Sequence, residues 1–236
     1  MDERLPMTPG GLAAGPNTPR PTDWHDDPRA LQVLTTEHWS LLASRSISWT
    51  ESFSRATIFL TALSGAVVAL ALVGQSTSDP RAFVTFALIL LPVVLAIGLA
   101  TLLRLIQVGN LDLLYIQAMN RLRKAYLEVV PGVAPFMSTA SHDDIASLHN
   151  TFGIRMRPNP IIQLFTTTPA VISLVCAVLV GVIVGIVVGQ VGGALGETVA
   201  SAIVGFVVSA SALQAYSRRA YRGLTDVVEI RFPRDA

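Results

Sequence analysis

Charge is scarce in this chain. Only 14% of its 236 residues are Asp, Glu, Lys or Arg, and 51% are hydrophobic. A soluble domain carries about 25% charged residues, so composition excludes an ordinary soluble domain. The net charge of +1 leaves no basic excess of the kind that nucleic acid attracts, and no nucleic-acid partner is expected. Cysteine is scarcer still. Cys176 stands alone inside an apolar run, which excludes an intramolecular disulfide and any multi-cysteine metal site. Its expected role is a small hydrophobe in a packed helix. Lysine is all but missing: Lys124 is the only one beside sixteen arginines. With abundant Ala, Gly, Val and Pro, this is the usage of GC-rich coding sequence, and a bacterial source is expected. A secretory signal peptide is also absent. The chain opens Met-Asp-Glu-Arg with no apolar core behind it, so the first hydrophobic segment is expected to serve as the internal signal.

Catalytic signatures are missing as well. There is no HExxH, GxSxG, Walker loop or dinucleotide fingerprint. His25 and His38 stand apart. His142 and His149 are seven residues apart, but a zinc site needs three or four convergent ligands. No metal, cofactor or enzymatic activity is expected. The apolar runs hold no Asp, Glu, Lys, Arg or His at their centres, which argues against proton relays, voltage sensors and ion-coupled transport.

What is present is long uncharged sequence. Four stretches qualify as membrane spans: 56–75, 82–103, 168–190 and 198–217. An α-helix rises 1.5 Å per residue, so ~20 residues cross a ~30 Å hydrocarbon core. The expected fold is all-α: a polytopic integral membrane protein with four transmembrane helices in two hairpins. Residues 76–80 and 192–196 form the hairpin turns. Pro169 falls at the start of the third span, where a missing N–H is tolerated. Pro92 lies within the second, as membrane helices allow.

Basic residues set the orientation. Between the paired spans of the two hairpins the only basic residue is Arg81. The other sixteen lie in the N-terminal segment, the 104–165 connection and the C-terminal tail. Both termini and the connection are therefore expected in the cytoplasm, and the chain in the cell's inner or plasma membrane. Residues 1–30 carry six prolines and read as a disordered cytoplasmic tail. From Leu31 to the first span, Thr35, Trp39, Leu42, Ser46, Trp49 and Phe53 repeat at steps of three and four, one helix face. Beyond the second span Val108, Leu111, Tyr115, Ala118, Leu122, Ala125 and Val129 form a heptad seam. This extends the second helix to about Val130, and the Thr35–Phe53 stripe is the expected partner of that seam, Trp39 included. Trp49 is placed in an interfacial aromatic belt. Arg104 reads as an interfacial anchor, and Asp112 as a helix-surface charge. In the 131–165 connection, Ser141 reads as the N-cap of a short helix to Phe152, with Asp143 and Asp144 in its first turn. The 218–236 tail is basic. Its Arg218, Arg219 and Arg222 are expected to meet anionic headgroups, with Tyr216 and Tyr221 near the interface.

The most specific pattern is a glycine zipper. Gly181, Gly185, Gly189 and Gly193 are four apart in the third span, and Ser201, Gly205 and Ser209 answer in the fourth. Small residues at this spacing let backbones approach closely. They predict tight packing of spans three and four, or a face shared between protomers of a homo-oligomer. Two functions are expected from this organisation. One is a non-enzymatic membrane scaffold, sensor or effector whose cytoplasmic helices meet a protein partner. The other is an oligomeric channel or small transporter built on the glycine-striped third span.

Overall fold

The computed structural model describes residues 24–77, 79–151, 167–225 and 229–234. Most of the 1–30 tail, Phe152, Arg155 and Arg157 of the connection, and the Arg222 side chain lie outside the described residues. All described regular structure is helical. Helix α1 runs Ala30–Ser76 and α2 Pro80–Val129, 47 and 50 residues long. At 1.5 Å per residue each exceeds ~70 Å, more than twice what a bilayer core requires. A short helix α3 (Ile145–Thr151) follows, then α4 (Thr168–Gln190) and α5 (Leu195–Thr225). The four long helices are long and apolar enough to cross a membrane, as in a multi-pass membrane protein.

Local chemistry explains the boundaries. Asp79 caps α2 by accepting from the Arg81 N–H at 2.9 Å, with Pro80 in the first turn. Pro131, which lacks an N–H, follows α2 and opens a 3-10 turn, Pro131–Phe136. Between α4 and α5 the chain reverses at Gly192, whose φ of +88° favours glycine. The Glu197 carboxylate then accepts from the Ala194 N–H at 2.9 Å. The short helix departs from expectation. Asp144, not Ser141, serves its N-terminus, accepting from the Ser147 N–H at 3.3 Å. Asp143 is buried instead of lying in the first turn.

Helix α1 packs on α2, α2 on α4 and α4 on α5, so α2 and α4 are central. Both hairpin turns lie at one end of the bundle, here the turn end. The extensions of α1 and α2, the start of α4 and the close of α5 gather at the other, the stem end. Phe59, Leu102, Leu105, Ile172 and Cys176 are fully buried where α1, α2 and α4 meet. Gly98 makes that junction possible. A Cβ there would stand 2.6 Å from the Phe59 ring and 2.7 Å from Cys176 Sγ.

The stem is rotated from its expected setting. The interior line of α2 beyond its apolar stretch is Val108, Asp112, Ile116 and Met119. It keeps Val108 of the expected seam, and Tyr115 packs against Ile116 and Met119, but it turns away from Leu111, Leu122 and Val129. Leu111 is exposed, and Leu122 and Val129 are half-buried. Helix α1 is rotated likewise: Leu41 packs by Ile116, Met119 and Leu148, while Trp39 is 67% exposed. Trp39 therefore does not pack on the seam, and Leu42 and Phe53 are exposed beside it. The physical reason is polar. Asp112, Gln117 and Asn120 all find hydrogen-bond partners inside the stem, and a buried polar group must have one.

Candidate functional site

Three ion-paired levels are stacked along the stem, each built on α2. Nearest the apolar bundle, the Arg104 guanidinium donates to Glu51 of α1 at 2.6 Å, and Arg55 donates to the same carboxylate one helical turn on at 3.0 Å. Together these arginines hold the Glu51 carboxyl below the usual range, Arg104 first. Arg104, expected as an interfacial anchor, thus ties α1 to α2.

Eight residues further along α2, ~12 Å, lies Asp112. Its side chain is 1% exposed, so it is no surface charge. Arg45 of α1 donates to both of its oxygens, through Nε and, at 3.2 Å, Nη2. Trp49, one turn after Arg45, donates its indole N–H to Oδ1 at 2.9 Å. Trp49 thus has an interior polar partner, and its ring stacks on Phe53 at 5.4 Å. Forked pairing of this kind is strong and directional. Above it, Tyr221 of α5 closes over α2: a Cβ on Gly109 would meet its hydroxyl at 2.6 Å. Burial, then the Asp112 charge, raises the Tyr221 pKa.

The third level ties down the C-terminal segment. Asp143 is fully buried. Arg121 donates to its carboxylate at 2.8 Å, and the backbone N–H groups of Arg231 and Phe232 donate at 2.9 and 2.8 Å. The Asp143 N–H donates in turn to the Phe232 carbonyl at 3.3 Å. Gln117 donates to the Glu229 carbonyl at 2.9 Å and Asn120 to the His142 carbonyl at 2.9 Å. Burial pushes the Asp143 pKa up, but the Arg231 N–H, Arg121 and the Phe232 N–H outweigh it and hold it below its ordinary value. Nearby, the His38 ring stacks on Tyr126. Burial, then the Arg123 charge, lowers its pKa.

Each of these carboxylates is matched by cations or backbone N–H groups. The arrangement locks helices, loop and C-terminal segment together. Among the described residues no three His, Cys, Asp or Glu side chains converge as metal ligands. Sequence reasoning missed the Asp143 latch because its partners lie about ninety residues away, with no local pattern to announce them. The Asp112 site did carry a signal: Arg45 and Trp49 are one turn apart, two donors on one helix face.

The glycine stripe sits inside the α4–α5 hairpin. A Cβ on Gly181 would stand 2.7 Å from the Ala202 carbonyl, and one on Gly185 would stand 3.1 Å from Ala202 Cβ. Gly205 lies as close to Val184, at 3.2 Å. Gly189 has ordinary room beside Thr198, and Gly193 faces Val188 of its own turn. Ser201 and Ser209 are half-buried and donate to carbonyls of their own helix, at 2.9 Å to Thr198 and 2.7 Å to Gly205. At the stem end of α5, Arg218 and Arg219 are exposed. No family model, curated protein or solved structure matches this chain.

Proposed function

We propose that the chain is a non-enzymatic scaffold or sensor of the cell's inner or plasma membrane, with its stem and both termini in the cytoplasm. It acts through a helical protein partner laid along the outer face of α1. The carrying observation is the exposure of that face outside the apolar stretch: Trp39 is 67% exposed, Leu42 38% and Phe53 49%. These residues recur at helical spacing, so they form one stripe. Apolar side chains within a span face lipid, but those on the stem face water, and a contiguous apolar surface in water marks an interaction site. The ion-paired levels behind α1 support the reading, because they hold the stripe on a rigid support.

The alternative, an oligomeric pore on the glycine stripe, draws less support, since Gly181, Gly185 and Gly205 are filled by their own hairpin. A photo-crosslinking residue at Trp39 in native membranes tests the choice. A discrete adduct, lost on Leu42→Glu, is expected. No adduct along the stripe, together with ion flux through the purified protein in liposomes, would sink the scaffold and restore the pore.

A further inference from the structure

A groove opens between α4 and α5 at the stem end. Leu174, Phe206, Val207 and Ala210 line its apolar length, and Arg218 and Arg219 stand at its mouth. Its dimensions match one leaflet. From Phe206 to Arg218 is twelve residues of continuous helix, ~18 Å, about half of a ~30 Å hydrocarbon core. Ala210 and Ser211 in its lining are small. The two arginines are also electrostatically uncommitted. Arg45, Arg55, Arg104 and Arg121 are each committed to a carboxylate. Arg218 and Arg219 have no carboxylate partner among the described residues.

A channel that is mostly apolar, with Ser173, Ser211 and Gln214 also in its lining, and that ends at two uncommitted guanidinium groups has the polarity of a single lipid molecule. We infer that this groove binds one anionic glycerophospholipid of the stem-side leaflet. The phosphodiester lies on Arg218 and Arg219, where guanidinium groups pair with phosphate oxygens. One acyl chain lies along Leu174, Phe206, Val207 and Ala210. The site differs from general attraction of basic residues to an anionic surface, because the groove seats the chain as well as the headgroup. It rests on α4 and α5 crossing the bilayer and is independent of what docks on α1.

The test is native mass spectrometry of the full chain in detergent, titrated with dioleoyl-phosphatidylglycerol, dioleoyl-phosphatidylcholine or inorganic phosphate. One phosphatidylglycerol per chain is expected, with phosphatidylcholine about tenfold weaker and no phosphate adduct. Arg218→Gln with Arg219→Gln should weaken phosphatidylglycerol about tenfold. Ala210→Phe, which adds bulk to the groove lining, should weaken it while helicity is unchanged. Arg231→Gln with Arg234→Gln removes the same charge elsewhere on the stem and should leave binding intact, because Arg231 serves Asp143 through its backbone N–H. Equal affinity for the two lipids would overturn the site. So would equal losses in the two double variants, which mean charge alone, and a null effect of Ala210→Phe, which means no chain seat. Saturable binding of inorganic phosphate would make it a free-anion site and overturn the lipid. Release of the chain from membranes by alkaline carbonate would instead remove the spanning reading on which the groove depends.

Discussion

Asp112 is a carboxylate that folding removes from water, and Arg45 is what makes that tolerable. Desolvating an unpaired charge costs several kcal/mol, and breaking a buried pair from one side costs about 3–5 kcal/mol. Arg45 is 34% exposed, so it regains some hydration when its partner is lost. The loss for Asp112→Leu is therefore expected near the lower bound, about 3 kcal/mol. The double variant Asp112→Leu with Arg45→Met should recover most of it, since buried pairs are often replaceable by apolar residues of similar volume. Chemical unfolding in micelles followed by far-UV circular dichroism measures both, and additive losses in the double variant would show that the two side chains do not act as a pair. Asp143 makes a pH prediction at the same scale. Its carboxyl is held below the ordinary 3.8 by the Arg231 and Phe232 N–H groups and Arg121, against the opposing effect of burial. A carboxyl with a depressed folded pKa stabilises the fold above its unfolded pKa, and that contribution is lost as pH falls through the folded value. The latch should stay closed from pH 7 down to about 4 and open only on stronger acidification. The amide resonances of Arg231 and Phe232 report it directly. A transition centred at pH 5 or above in the wild type would contradict the assignment, and Asp143→Asn should already show the open positions at pH 7.

At the scale of helices, glycine has opposite meanings at different places, and space decides between them. Gly65 of α1 has nothing within 4 Å of where a Cβ would stand. Alanine there should stabilise by about 0.5–1 kcal/mol through backbone entropy alone. Gly98 and Gly181 lack that freedom, with contacts of 2.6 and 2.7 Å waiting for any Cβ. At Gly181 the obstacle is a backbone carbonyl, which cannot rotate away. Gly181→Ala should therefore cost about 1–3 kcal/mol as overpacking, while Gly189→Ala, whose Cβ would make an ordinary contact with Thr198 at 3.7 Å, should be neutral or better. Equal effects of alanine at 181 and 189 would rule out hairpin closure as the function of the stripe. This pairing of α4 with α5 was legible in the four-residue spacing, as were the four apolar stretches, the hairpin turns and the extension of α2 to Val129. The stem faces were not. Apolar periodicity placed Leu111 and Leu122 inside, but Asp112, Gln117 and Asn120 went inside because Arg45, Glu229 and His142 were there to bond them. A hydrophobic seam is a local pattern, whereas hydrogen-bond satisfaction depends on segments up to 112 residues away. The latch and the rotation of α1 share that origin.

For the whole molecule, the proposed membrane topology puts the two halves of α1 in different solvents, and this division separates folding from function. Within the apolar bundle, exposed Val67, Val68 and Leu72 are what a lipid-facing surface requires. On the stem, water is the solvent, and the apolar stripe gains nothing for the isolated chain. Leu42 and Trp39 are therefore free to change without loss of stability. Trp39→Glu should alter unfolding by no more than about 0.5 kcal/mol, as for other exposed positions away from special contacts. The same substitution places a charge on the proposed partner-facing stripe, where a buried unpaired carboxylate would cost several kcal/mol. It should abolish the adduct formed by a photo-crosslinking residue placed at Leu42 and whatever cellular phenotype depends on it. Arg45→Met is the complementary variant, because it disturbs the support and leaves the stripe's own side chains in place. It should weaken stability and partner binding together. If Trp39→Glu instead unfolded the protein as severely as Asp112→Leu, the stripe would belong to the chain's own core, and α1 would have no free face to offer a partner.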